Sequence, residues 1–139
     1  MRKMALSFVA LCLVACQGEY AIEKEYQLAL AQFDKNKLED SLVLIQNALQ
    51  HQPDHVASLI LYGDALLATG APQAAEQQFR KVVDLGVDKA TLYAKLAKAM
   101  LKQNKFVELL EEIQFAGELS QISVKDSAQI FAHAKTAIL

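Results

Sequence analysis

Small and large apolar residues recur along this chain at a fixed interval. A small residue stands at Ala29, Gly63 and Ala97, each 34 positions from the last. Leu28, Tyr62 and Leu96 precede it, and Ala31, Ala65 and Ala99 follow it by two. In the same register Ile45, Phe79 and Ile113 hold a large apolar place, and Ala48, Val82 and Ala116 hold the next inward one. Three successive units therefore coincide without a gap. The pattern predicts helices at roughly 20–34, 38–51, 55–68, 72–84, 89–102 and 106–116, with a seventh near 124–138.

Asn36, Gly70 and Asn104 keep the interval and fall between the two helices of each unit, where residues tolerant of left-handed backbone angles belong. A helix-turn-helix period of this length resembles the tetratricopeptide repeat. The second unit carries that family's pattern at Leu59, Tyr62, Gly63, Leu66, Ala75 and Phe79. It lacks the closing proline and has Leu85-Gly86-Val87-Asp88 instead, in which Gly86 can end the helix by a left-handed cap. The first unit keeps its proline, Pro53. The resemblance implies an all-α, tetratricopeptide-type helix-turn-helix solenoid, with repeats at 21–54, 55–88 and 89–117. Small side chains at Ala29, Gly63 and Ala97 let the paired helices approach, while Ile45, Phe79 and Ile113 fill the groove beside them. Residues 118–139 read as a partial repeat or a capping helix, its inward face formed by Val124, Ala128, Phe131, Ala132 and Ile138. The apolar ending Thr136-Ala137-Ile138-Leu139 lacks the polar face of a terminal cap, and favours a truncated longer repeat protein.

The beginning of the chain follows another pattern. Met1-Arg2-Lys3-Met4 is positively charged, and Ala5 to Ala15 is an 11-residue apolar stretch interrupted at Ser7. That length suits the core of a signal peptide and falls short of the roughly 20 residues of a membrane span. The stretch ends Leu13-Val14-Ala15-Cys16, which resembles the lipobox of bacterial lipoproteins. The resemblance implies a signal peptide over 1–15, lipid on Cys16, and a lipidated terminus and short linker over 16–20. A plain secretory signal cut near Ala15, with Cys16 an ordinary thiol, is the alternative. Cys12 would be removed, so a lipidated Cys16 leaves no thiol for a disulfide. Each buried methylene of the acyl chains contributes about 0.8 kcal/mol to membrane attachment. Gln17, in place of Asp, resembles the sorting signal for the outer membrane in enteric-type bacteria. The expected location is the cell envelope, lipid-anchored at the periplasmic face of the outer membrane, with the first repeat close to the bilayer.

Composition narrows the partners. The formal charge is -2, and loss of Arg2 and Lys3 makes it about -4. The basic residues are scattered, so no nucleic-acid footprint is expected, and attachment to a membrane rests on lipid and not on charge. With 5 Gly, 2 Pro and no Trp, the composition favours helices throughout.

Three strings narrow the resemblance: Asn47-Ala48-Leu49-Gln50, Leu85-Gly86-Val87-Asp88 and Lys105-Phe106-Val107-Glu108-Leu109-Leu110-Glu111-Glu112. Together with the lipobox they resemble the amino-terminal part of the tetratricopeptide lipoproteins of the exosortase (PEP-CTERM) system. That family accompanies exopolysaccharide gene clusters and carries a much longer repeat array. The resemblance implies a non-catalytic, membrane-anchored scaffold that binds other envelope proteins or peptides, for exopolysaccharide export or exosortase-linked sorting. Carried onto this chain, the partner groove falls at Tyr26, Leu30, Phe33, Ile60, Asp64 and Leu67, then Ala94, Lys98, Leu101 and Lys102. Some of these positions are expected to be inter-helix core instead. Lys95, Lys98 and Lys102 share one helical face and suit a peptide carboxylate or, more weakly, an acidic polysaccharide; a solvated lysine face is the alternative. Asp64 stands where a carboxylate clamp of this family would use Asn, which argues against a clamp.

Catalysis, cofactors and bound metal are not expected. His51 and His55 flank Gln52-Pro53-Asp54, so they do not form a helical i, i+4 metal pair, and His133 lies far away in sequence. GxSxG, HExxH, P-loop and GxGxxG strings are absent. Glu111 and Glu112 read as solvent-facing charges beside Lys105. Two other functions compete with the scaffold. One is a pilotin-like or outer-membrane assembly lipoprotein serving a type IV pilus secretin or β-barrel machinery; the other is a subunit of a polysaccharide-modifying enzyme.

Overall fold

The computed structural model describes residues 21–119, with side chains described as far as Glu112. The signal segment 1–15, Cys16 with its linker, and the expected helix at 124–138 lie outside the described residues, as do the side chains of Ile113 and Ala116. Six helices and no strand occur among the described residues: α1 over 21–34, α2 (Leu38–His51), α3 (Val56–Ala68), α4 (Pro72–Asp84), α5 (Lys89–Lys102) and α6 (Phe106–Leu119). The helix ends agree closely with the sequence pattern except at α6, which continues through Gly117 to Leu119. A single interior glycine weakens a helix by only about 1 kcal/mol relative to alanine, so α6 tolerates it.

The turns explain why the helices stop where they do. Asn36, Gly70 and Asn104 all adopt left-handed backbone angles, with φ of 58°, 82° and 60°. At each one the chain makes the same pair of closing hydrogen bonds. Asn36 N–H donates to the Phe33 carbonyl and Lys37 N–H to that of Gln32; Asn104 N–H donates to Leu101 and Lys105 N–H to Met100. Gly70 and Ala71 repeat this onto Leu67 and Leu66. Such a double closure uses up helix carbonyls that would otherwise face no donor. Gly86, with φ of 91°, ends α4 in the same way, through Gly86 N–H to Val83 and Val87 N–H to Val82. The helix starts are also encoded. Pro72 opens α4 at a position where a missing N–H costs nothing, and the Asp88 carboxylate accepts the Ala90 N–H at 3.0 Å to cap α5.

The chain divides into two compact units, Met1–Leu61 and Tyr62–Leu139, with the boundary inside α3. In the first unit Ala29, Ile45 and Ala48 are fully buried, and Ser41 sits among the buried residues with its hydroxyl donating 2.9 Å to the Ala29 carbonyl. That bond ties α2 to α1 and satisfies a polar group that burial would otherwise penalise.

In the second unit Gly63 and Phe79 pack so tightly that a Cβ on Gly63 would lie 2.6 Å from Phe79 Cζ. The side chain of Phe79 is fully buried, as are those of Ala65, Ala75 and Val82. Tyr93, Ala97, Met100 and Leu109 form a buried cluster between α5 and α6, against which Leu101 packs. Equal register does not mean equal burial, because Leu28 is 46% exposed while Leu96 is 1% exposed. Leu96 belongs to α5, which packs against both α4 and α6; among the described residues no helix precedes α1.

Candidate functional site

Helix α5 carries the most distinctive surface. Its sequence, Lys89-Ala-Thr-Leu-Tyr-Ala-Lys-Leu-Ala-Lys-Ala-Met-Leu-Lys102, contains four lysines and no acid. One face buries Leu92, Tyr93, Leu96, Ala97, Ala99 and Met100, which leaves Ala90, Thr91, Ala94, Lys98 and Lys102 exposed. The two other lysines are engaged. Lys89 Nζ lies 3.2 Å from Glu112 Oε2, and Lys95 Nζ donates to both Asp64 oxygens at 2.7 and 2.6 Å. Among the described residues Lys98 and Lys102 have no ion pair.

Placement sorts the expected groove residues. Ile60, Asp64, Tyr26, Leu30 and Phe33 are half-buried and keep some surface for contact. Leu67, only 5% exposed, belongs to the core and has little to offer a partner. Leu101 is half-buried against the α5–α6 cluster. The expected three-lysine face is reduced in practice to two free lysines, because Asp64 takes the third. In the first unit, Tyr26 meets His55 edge-on at 5.8 Å between ring centroids, and His55 Nδ1 is 2.7 Å from Ser58 Oγ. That contact places His55 at the start of α3 as a local helix-end partner of Ser58.

A cluster that the sequence did not reveal lies behind α5. Glu76, buried on α4, accepts from Arg80 Nε through Oε1 at 2.8 Å. Its Oε2 accepts from Gln103 Nε2 at 2.7 Å and Lys105 Nζ at 2.8 Å. Arg80 then reaches Glu112 Oε1 on α6 at 2.7 Å. Burial pushes the Glu76 carboxyl up, but hydrogen bonds from Lys105, Gln103 and Arg80 and the Arg80 charge prevail, holding it below the usual carboxylate range. For Glu112 burial again opposes ionisation, while Arg80 and Lys89 together draw its pKa down.

Glu112 is therefore not the solvent-facing charge expected from its sequence position; only Glu111 of that pair is exposed. The i, i+4 spacing of Glu76 and Arg80 was visible in the sequence, but their partners 27 to 32 residues away were not. Burial, with a contribution from Glu112, pushes the Tyr93 phenol up to about 12, and its hydroxyl has no hydrogen-bond partner among the described residues. No group of three or more His, Cys, Asp or Glu that could hold a metal ion occurs among the described residues.

Residues 26–90 match the tetratricopeptide repeat family. No curated protein matches the chain. Among solved structures the chain is similar to the Yersinia enterocolitica type III secretion chaperone SycD, determined in complex with a peptide of the translocator YopD. The identity is 17%, the TM-score is 0.68, and the match covers 84% of this chain and 91% of that one. At this identity the likeness is one of fold. The fold is accordingly a helical repeat of the tetratricopeptide type.

Proposed function

We propose that this chain is a non-catalytic scaffold, held at a membrane surface by lipid on Cys16, that recruits a protein segment onto the exposed face of α5 in the cell envelope. The observation that carries the reading is the pair Lys98 and Lys102, exposed and without an ion pair among the described residues, on a helix that has no acid of its own. Two desolvatable cations beside Ala94 and the half-buried Leu101 suit an acidic segment with some apolar character. SycD, of similar fold, holds a peptide of another protein, which supports recognition of a segment over turnover of a small molecule.

Membrane attachment is supported by the string Leu13-Val14-Ala15-Cys16 and the charged start of the chain. Among the described residues no helix is long and apolar enough to cross a membrane. The three strings that resemble exosortase-linked lipoproteins favour a place in exopolysaccharide export or the linked protein sorting. Two comparisons test the reading. Cys16→Ser protein is expected to leave the envelope fraction, and deletion of the protein is expected to impair polymer export or surface sorting. Unchanged fractionation overturns the anchor, and unchanged export and sorting overturn the assigned process.

A further inference from the structure

The four lysines of α5 are divided between paired and unpaired. The Asp64 carboxylate grips Lys95 with both oxygens, at 2.7 and 2.6 Å, and Lys89 faces Glu112. Lys98 and Lys102 remain exposed. Four residues of helix separate them, a rise of roughly 6 Å along the axis. Alternate side chains of an extended segment repeat at about 6.6 Å, so two carboxylates in the pattern acid–x–acid match the two ammonium groups. The Asp64–Lys95 pair is itself partly exposed, with side-chain accessibilities of 26% and 37%. It contributes little to stability, but it neutralises Lys95 and leaves that end of the lysine stripe without net charge.

We propose that Asp64 is a specificity-determining residue: by holding Lys95 it withdraws one lysine from an arriving acidic segment, so that Lys98 and Lys102 alone read carboxylates at alternate positions. This rests on the reading of α5 as the partner-binding face. Asp64 acts as a filter. It withholds the third cation from segments of dense negative charge that would need all three lysines, and it leaves unaffected those whose acids reach only the Lys98 and Lys102 end of the stripe. The occupant is an acidic protein segment, not a polysaccharide, because the two free cations offer a defined spacing in place of a continuous basic track.

The test uses the full chain, fluorescence anisotropy and four probes. These are a short labelled peptide with two acids in the pattern Glu-x-Glu, one with Glu at every position, the first with each Glu replaced by Gln, and an alginate fragment. Asp64→Asn keeps the side-chain shape and frees Lys95, so it is expected to tighten the all-Glu peptide about threefold to fivefold at low salt and the Glu-x-Glu peptide less. The gain should shrink as salt rises and be absent for the Gln peptide. Weaker or unchanged binding of the all-Glu peptide by Asp64→Asn, with helical content retained by circular dichroism, overturns the assignment of Asp64. Binding by the double variant Lys98→Ala/Lys102→Ala equal to that of the parent overturns instead the reading of α5 as the binding face. Alginate binding that surpasses both Glu peptides and needs the same lysines overturns the choice of a protein segment.

Discussion

Gly63 shows how much one hydrogen atom can decide. A Cβ there would lie 2.6 and 2.9 Å from two carbons of the Phe79 ring, distances that no core rotamer accommodates. Gly63→Leu is therefore expected to cost about 1–3 kcal/mol, measured as a lower urea midpoint with an unchanged slope. Tyr93 tests the opposite case. Its hydroxyl is buried without a partner among the described residues, so Tyr93→Phe removes no bond and is expected to be neutral or stabilising near neutral pH. Because its folded pKa is raised to about 12 from the ordinary 10, ionisation has no effect on stability below pH 10 and favours the unfolded chain as pH rises from 10 towards 12. Tyr93→Phe should flatten that alkaline loss in thermal melts. A parallel decline in both proteins would refute it. Of these features the small residue at position 63 was legible in the 34-residue column. The buried hydroxyl of Ser41 was not, since its value depends on the Ala29 carbonyl of another helix.

Helices and their stops were the most legible level of this molecule. Residues that accept positive φ recur at 36, 70 and 104, and the same two closing hydrogen bonds form at each. Gly70 has nothing within 4 Å of an added Cβ, so Gly70→Ala tests backbone strain alone and is expected to cost about 1 kcal/mol. What the sequence concealed is how helices clamp one another. Glu112 reads as a surface acid on α6 until Arg80 of α4 and Lys89 of α5 are seen to converge on it. Such partners follow from packing, and no local spacing rule announces them. The clamp has a pH signature. Glu76 and Glu112 have folded pKa values below their unfolded ones, so their stabilisation is present above the usual carboxylate range of about 4.3. It is lost as pH falls through the lowered values. Melting temperature should fall below pH 4.5, and less steeply in Glu112→Gln, which itself is expected to cost about 1–2 kcal/mol at neutral pH. Equal slopes in the two proteins would remove the clamp from the account.

At the scale of the whole molecule, repeat architecture separates binding from folding. The buried faces of the helices use up Ala97, Phe79 and their equivalents, leaving surfaces such as that of α5 free to vary with the partner. This is why the repeat could be read from one sequence while the binding surface could only be bounded. The column of small residues obeys packing, whereas Asp64 and Lys95 are 31 residues apart and their pairing altered the surface on offer. The central claim is that a protein partner docks on α5 through Lys98 and Lys102. The most direct measurement is photo-crosslinking in intact cells from an unnatural residue at the exposed Ala94. The account predicts an adduct with one discrete envelope protein, lost when Lys98→Glu and Lys102→Glu are combined. An adduct of undiminished yield in the charge-reversed protein would contradict it.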